Sequence, residues 1–393
     1  MDFSQARRVT RAAQQVARAN VQRLTVPLKI NLALTYQCQY RCKTCNIWQR
    51  KPEGELTTGE ILQFVRNTSG VSWLDVTGGE IFLRKDIGEL LEAIVVSWKH
   101  LLLLHFPTNG FLTDRIVEVC TRLAARGGPQ IIVTVSIDGD ESLNDETRGI
   151  RGGYRRQVET FRALRNITGI RPVFGMTLSS YNVGRFEETF RACQRDCPGL
   201  DVSDFHLNVA QISPHYYGNA EMTGVVPPAS GIVSELRLYR QLRGVPSSLP
   251  EWLEGQYLRR LETYVETRAM PMRCHSLRSS CFIDPFGTVF PCITYSRPLG
   301  QLREHGMNLA AIWNAASTAA VQQEIWDGDC PQCWTACEAY QSILGNLMGA
   351  GSGPPARRNE RVSGAGATPA EPLPLHIHGL DRSSIRGTGA PDA

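Results

Sequence analysis

The apolar positions change period repeatedly from residue 28 onwards. Over 28–36, Leu28, Ile30, Leu32 and Leu34 alternate with their neighbours, which is the two-residue period of a strand. Over 57–67 the spacing turns helical, with Thr57 as N-cap and Glu60 three positions later completing a capping box. Further strands are predicted at 73–77, 101–106, 131–137, 173–178 and 205–209. The helices between them fall at 86–98, with Asp86 as cap, and at 114–125, 154–166 and 185–194. The segment 131–137 is an almost continuous β-branched run, the composition of a strand buried on both faces. Alternating strands and helices imply a parallel sheet with helical crossovers. The predicted fold class is therefore α/β: a partial (β/α)6 TIM-like barrel rather than the full eight units.

Outside that region the pattern loosens. Residues 1–27 carry weak helical spacing (Val9, Ala13, Val16) among arginines and read as a basic N-terminal helix, solvated or lightly docked. Clusters of Pro, Gly and Ser over 210–248 read as the connecting segment that ends a barrel region of 28–248, and 210–270 as part of a substrate wall. A helix at 249–269 opens a small cysteine-rich hairpin-and-helix extension, 249–345. Within it, Asp284-Pro285-x-Gly287 marks a hairpin turn. The Gly-, Pro- and Ala-rich stretch 346–393 reads as a disordered tail.

Composition narrows the function. Of 393 residues, 42% are hydrophobic and 20% charged, enough for a sizeable core. The net charge of +4 is matched by the arginine surplus of the first 25 residues alone. The remainder offers no broad phosphate-binding face, so no nucleic acid partner is expected. No run approaches the ~20 apolar residues that span a bilayer, and no apolar core follows the N-terminal arginines as in a signal peptide. No membrane association is expected, and the cytoplasm is the expected compartment. Twelve cysteines are a high count, and in a chain of this kind clustered cysteines point to metal or redox chemistry rather than disulfides. They form two groups, Cys38, Cys42, Cys45 and Cys274, Cys281, Cys292, Cys330, Cys333, Cys337. Cys120, Cys193 and Cys197 stand apart as core or surface thiols.

The first group directly follows the first strand, at the carboxyl end of the sheet where barrel sites gather. Three thiolates this close in sequence can hold three corners of a four-iron cluster and leave one iron open. Zinc is the rival metal, although a structural zinc site needs four ligands and no nearby His supplies the fourth.

Cys38-x3-Cys42-x2-Cys45 resembles the signature of the radical SAM superfamily. The resemblance implies a 4Fe-4S cluster whose open iron is chelated by S-adenosyl-L-methionine (SAM). It also implies reductive cleavage to a 5′-deoxyadenosyl radical that abstracts a substrate hydrogen. Thr44 departs from the pattern, which often places an aromatic residue there. Gly78-Gly79-Glu80 after the second strand is similar to the family's turn for the methionine amino group, and Asn109 ends the third strand in a comparable way. Ser136 and Asp138 end the fourth strand, with Arg148 shortly after. They are similar to the groups that contact the ribose and the carboxylate, for which an arginine fork is well suited. Thr177 and Asn182 follow on the fifth strand and its turn.

The second group resembles the SPASM and twitch extensions, which carry auxiliary iron–sulfur clusters. Six cysteines imply one auxiliary 4Fe-4S cluster. It would be held either by Cys274, Cys292, Cys330 and Cys333 or by Cys274, Cys281, Cys292 and Cys337. His275 and His206 read as packing histidines. The implied activity is oxidation or cross-linking of a peptide or of a small sugar or cyclitol, with flavodoxin or ferredoxin as electron donor. Residues 1–27 are too few for a peptide-binding domain, which weighs against a peptide unless a separate protein delivers it. The alternatives are a non-catalytic iron–sulfur redox sensor or scaffold, and a zinc-binding scaffold.

Overall fold

The computed structural model describes residues 3–348. Helix α1 (Phe3–Val21) precedes strand β1 (Lys29–Thr35). Five strand–helix repeats follow: α2 (Thr58–Asn67), β2 (Trp73–Gly78), α3 (Ile87–Ser97), β3 (Leu103–Thr108), α4 (Thr113–Arg126), β4 (Gln130–Ser136), α5 (Glu141–Arg148), α6 (Gly153–Arg165), β5 (Ile170–Leu178), α7 (Phe186–Asp196) and β6 (Phe205–Val209). The extension comprises α8 (Ala229–Arg243), α9 (Leu249–Thr267), β7 (Ser280–Ile283), β8 (Thr288–Phe290), β9 (Gly300–Gln301), α10 (Leu309–Trp313), α11 (Ala316–Asp327) and α12 (Ala336–Gly345).

The strands lie in the order β6-β5-β4-β3-β2-β1-β7-β8-β9. Strands β1 to β6 pair in parallel, so the barrel is partial and unclosed. Strand β7 joins β1 in parallel, Lys29 opposite Ser280 and Leu32 opposite Ile283, and then turns back through the antiparallel β8 and β9. The extension thus continues the barrel's own sheet. A bulge in β1 between Ala33 and Thr35 kinks its exit, from which the first cysteine loop leaves.

Burial separates the two faces of the sheet. On β3, β5 and β6 every second residue is buried beneath the helices and the alternate ones are half-buried, facing a lumen. The same alternation holds for β4, where Ile131, Val133 and Val135 are buried while Ile132, Thr134 and Ser136 are half-buried. This corrects the expectation of burial on both faces: the β-branched run meets helices on one side and an open barrel interior on the other. Strand β1 is buried throughout, because the start of α12 covers its lumen side, and its neighbour β7 is buried throughout as well.

The Thr57–Glu60 capping box is present. Asp86 stands at the N-cap of α3 but its side chain makes no cap bond, since Arg84 and Thr58 occupy both carboxylate oxygens. The connecting segment 210–248 contains α8, which its Gly and Pro content had concealed. Helix α1 docks through buried amides as well as apolar contacts of Val16 and Ala19 with Leu24 and Leu28: Gln15 donates to the Gly70 carbonyl at 2.8 Å, and Asn20 to that of Leu344 at 2.9 Å. Of the expected tail, 349–393 lies outside the described residues. Among the described residues no helix is long and apolar enough to cross a membrane.

Candidate functional site

The first cysteine loop is held in place backbone to backbone. Gly79 N–H donates to the Thr35 carbonyl and Glu80 N–H to that of Gln37, both at 2.7 Å. A Cβ on Gly79 would stand 2.1 Å from the Gln37 oxygen, so the close approach to the loop itself requires glycine there. On the other side, Lys43 N–H donates to Thr147 at 2.8 Å and Arg41 N–H to Arg148 at 3.3 Å. Gly149, at φ 67°, ends α5, and a Cβ there would stand 2.4 Å from the Arg41 oxygen. The turn after β2 and the end of α5 therefore clamp the loop between them.

Cys38, Cys42 and Cys45 are electrostatic neighbours within this clamp, with Arg148 beside all three. Burial pushes the Cys38 thiol up to about 11 and that of Cys45 up to about 12, and raises Cys42 as well. Burial works against the charge of Arg148, but Cys42 and Asp138 more than offset it, so the guanidinium stays charged. Arg148 Nη1 pairs with Asp138 at 2.6 Å, while its Nε and the Tyr40 hydroxyl are buried without a partner. Two orphaned donors beside three thiols suit an anionic occupant, because a buried unmet donor costs about 1–3 kcal/mol. Soft thiolates with one cation among them match the donor chemistry of an iron–sulfur cluster carrying a carboxylate ligand. Among the described residues no three Cys, His, Asp or Glu side chains converge tightly enough for a single metal ion, as a closed zinc site would require.

The remaining expected residues divide into two sets. Glu80 is fully buried and turned inward: its carboxylate accepts from Asn109 N–H at 2.6 Å, from the Thr108 hydroxyl and from Phe82 N–H. Burial raises its carboxyl to about 7 against these hydrogen bonds. Asn109 reaches the first loop, with its side-chain nitrogen 3.1 Å from Gln39 and 4.0 Å from the Cys38 sulfur. Asp138 accepts from Thr177 N–H at 3.0 Å, and Asn182 donates to the carbonyls of Asp138 and Thr177. Asn182 thus ties two strand ends together. Ser136 and Thr177 lie on the half-buried lumen faces.

Four of the six later cysteines, Cys274, Cys292, Cys330 and Cys333, line one cavity. The Thr294 hydroxyl bridges the sulfurs of Cys292 and Cys333 at 3.3 and 3.2 Å. Burial raises Cys330 to about 11 and Cys333 to about 12. This donor set fits a four-cysteine cluster. Cys281 instead packs in the main apolar core, and Cys337 sits among the apolar residues beside Cys38 and Cys45. His275 is a buried packing residue, its ring against Gly345 and its pKa lowered by burial to about 3.

Sequence reasoning missed the polar lumen floor. Lys29 is fully buried, its ammonium 2.8 Å from Asp75, 2.7 Å from the Cys337 carbonyl and 4.4 Å from the centre of the Trp73 ring. Asp75 also bonds His105 at 3.2 Å, and His105 reaches the Thr134 hydroxyl at 2.8 Å. A second set joins His206 and Glu254 at 3.0 Å, with Tyr340 bonded to the same carboxylate. His206 therefore faces the lumen half-buried and partnered. Glu338 both lines the four-cysteine cavity and accepts from Asn31 and Ser280, so the first turn of α12 separates cavity from lumen. Lys29 at an outwardly ordinary strand start was legible only as one charge in an alternating pattern.

The radical SAM superfamily model matches residues 32–193, and the SPASM model, an iron–sulfur cluster-binding domain, matches residues 274–338. The chain is 27% identical over 172 residues to the sporulation killing factor maturation protein SkfB of Bacillus subtilis (strain 168), covering 43% of this chain and 40% of SkfB. It is 26% identical over 279 residues to the mycofactocin maturase MftC of Mycobacterium ulcerans (strain Agy99), covering 68% of this chain and 69% of MftC. Its fold is similar to that of Streptococcus suis SuiB bound to S-adenosylmethionine, with a TM-score of 0.55 at 15% identity over 88% of this chain and 79% of SuiB. SuiB bound to its precursor peptide SuiA superposes with a TM-score of 0.52 at 16% identity, covering 78% of this chain and 68% of SuiB.

Proposed function

This chain belongs to the radical SAM superfamily and carries a SPASM domain, and we propose that it is a peptide-modifying enzyme that oxidises or cross-links its substrate after hydrogen abstraction. The observation that carries this is the clamped loop, with three half-buried thiols around a charged Arg148 whose Nε has no partner. Cys38, Cys42 and Cys45 hold the SAM-binding 4Fe-4S cluster. Arg148 offers its free edge to the SAM carboxylate, while Asp138 fixes the guanidinium. Gly78 and Gly79 carry the backbone past the loop, and Glu80 braces the end of β3 so that Asn109 stays beside Cys38. When bound, cluster and SAM supply one-electron cleavage of the sulfonium and the hydrogen-abstracting species that follows. Ser136 and Thr177 face the lumen, where the substrate is held and water excluded.

Cys274, Cys292, Cys330 and Cys333 would hold the auxiliary 4Fe-4S cluster, separated from the lumen by one helical turn, and such a cluster would supply a one-electron acceptor for substrate oxidation. The peptide reading rests on the maturation proteins to which the chain is similar, SkfB and MftC, and on SuiB with its precursor peptide. A ferredoxin or flavodoxin provides the reducing electron, in the cytoplasm, where thiols stay reduced.

The test is anaerobic reconstitution with iron and sulfide, followed by SAM and a strong reductant. Visible absorbance and formation of 5′-deoxyadenosine are expected, and Cys42→Ala should abolish the latter. Cys330→Ala should lower the iron content where Cys281→Ala does not. Cluster-loaded protein that leaves SAM intact would sink the enzymatic reading. Equal iron loss in the Cys281→Ala variant would sink the ligand assignment.

A further inference from the structure

Residues 211–219, between β6 and α8, touch both cysteine sites and the turn after β2. At the first loop, Asn46 N–H donates to the Tyr217 carbonyl and the Asn219 amide to that of Thr44, both at 2.9 Å. Arg50, just beyond that loop, donates to the carbonyls of Pro214 and His215. At the hairpin, the Ser213 hydroxyl donates to the Ile293 carbonyl, one residue past Cys292. The His215 ring stacks on Phe290 at 4.4 Å, and its Nε2 lies 3.1 Å from the Cys292 carbonyl. A carbonyl only accepts, so Nε2 carries the proton and Nδ1 accepts from Ser296 at 2.9 Å.

The third contact is Tyr216. Its ring is buried, and its hydroxyl meets Thr77 Oγ1 at 2.6 Å, Gly78 N–H at 3.2 Å and the Gly78 carbonyl at 3.2 Å. A single hydroxyl can accept from the amide and donate onward, so it satisfies buried backbone groups at the turn that clamps the first loop. Its own N–H donates to the Ser213 hydroxyl at 3.1 Å, which is the group tied to the hairpin.

We infer that segment 211–219 couples the two cysteine sites, with Tyr216 as the positioning residue that holds the Gly78 turn in the form that receives SAM. The bend after β8 that carries Cys292 hangs on the same segment. Filling the auxiliary site therefore fixes Tyr216, and Tyr216 fixes the turn. This rests on the Gly78–Glu80 turn receiving the amino group of SAM, as its similarity to the radical SAM turn implies, within the function proposed above. Coupling of this kind is a difference in binding free energy between sites and is measured as such.

The experiment measures SAM affinity anaerobically on cluster-loaded protein, by calorimetry and by the change SAM causes in the electron paramagnetic resonance of the reduced first cluster. Four proteins are compared: the unaltered chain, Tyr216→Phe, Cys330→Ala and the double variant. Tyr216→Phe should weaken SAM about tenfold, the scale of one net hydrogen bond, with first-site iron unchanged. Cys330→Ala should weaken it severalfold, and the double variant no more than Tyr216→Phe alone. Thr77→Val, which removes the hydroxyl's nearest partner without altering the segment, gives the same comparison should Tyr216→Phe not yield folded protein. Unchanged SAM affinity in these turn variants, or losses that simply add in the double variant, overturns the coupling. Failure of the unaltered chain to bind SAM would instead overturn the proposed function.

Discussion

Replacing Lys29 with methionine is expected to destabilise the protein by about 3 kcal/mol. The side chain is fully buried, and its ammonium makes a 2.8 Å ion pair with Asp75. Burial alone would raise the Asp75 carboxyl, and Lys29 with His105 holds it well below the usual carboxylate range. Breaking a buried pair by removing one partner costs about 3–5 kcal/mol, because the other charge stays behind uncompensated. The value here falls at the lower end because Asp75 keeps His105 at 3.2 Å and the Trp73 indole N–H at 2.7 Å. Set against a total stability of about 5–15 kcal/mol, the loss is readily measured. The assay is urea unfolding of reduced, cluster-free protein for Lys29→Met, Asp75→Asn and the pair. With both charges gone no ion is stranded, so the double variant should cost about as much as one single change. A Lys29→Met cost below about 1 kcal/mol, or a double variant equal to the sum of the singles, would refute the account.

Two further outcomes follow from the same contacts. Gly79→Ala places a methyl 2.1 Å from the Gln37 carbonyl and should cost at least the two backbone bonds of that clamp, about 1–3 kcal/mol. Iron content after reconstitution reports it, and normal loading would contradict the close approach. The Arg303 side chain, bonded to Glu60 at 2.6 Å, lowers that carboxyl from 4.5 to about 2. A depressed carboxylate stabilises the fold above its unfolded pKa, and the benefit fades as pH falls from about 4.5 towards 2. The pair is partly exposed, so the effect stays below about 1 kcal/mol. Glu60→Gln should lower Tm slightly at pH 6, and the difference should shrink as pH falls below about 4.5 and vanish only below about pH 2.

The strand and helix order was legible because each apolar face has a local period, and the Thr57–Glu60 box was legible because capping is a matter of four adjacent residues. Asp86 shows the limit of that logic, since Arg84 and Thr58 compete for the carboxylate once the chain is folded. The run Ile131–Val135 looked buried on both sides because β-branched composition says nothing of whether helices or an open lumen lie opposite. The first cysteine group and its neighbours were visible as spacing. The inward-facing carboxylate of Glu80 was not, because its partners Thr108 and Asn109 sit on another strand. For the same reason Lys29 and Asp75, and Tyr216 and Gly78, escaped notice: each pair joins residues from separate elements. Six similar thiols could not be sorted by spacing, whereas the fold sends Cys281 into the core and gathers four others around one cavity.

The parallel pairing of β1 with β7 has a consequence during synthesis. Lys29 waits for Ser280 and Leu32 for Ile283. At about 5–20 residues per second, the ribosome delivers that partner on the order of ten seconds or more after β1 emerges. Until then one edge of the nascent sheet offers unpaired N–H and C=O groups to any strand nearby. The barrel's sheet is therefore incomplete until the extension has been made. A fragment stopped after residue 248 would keep that edge open permanently and should aggregate, so a soluble shortened chain has to be cut beyond the hairpin rather than before it.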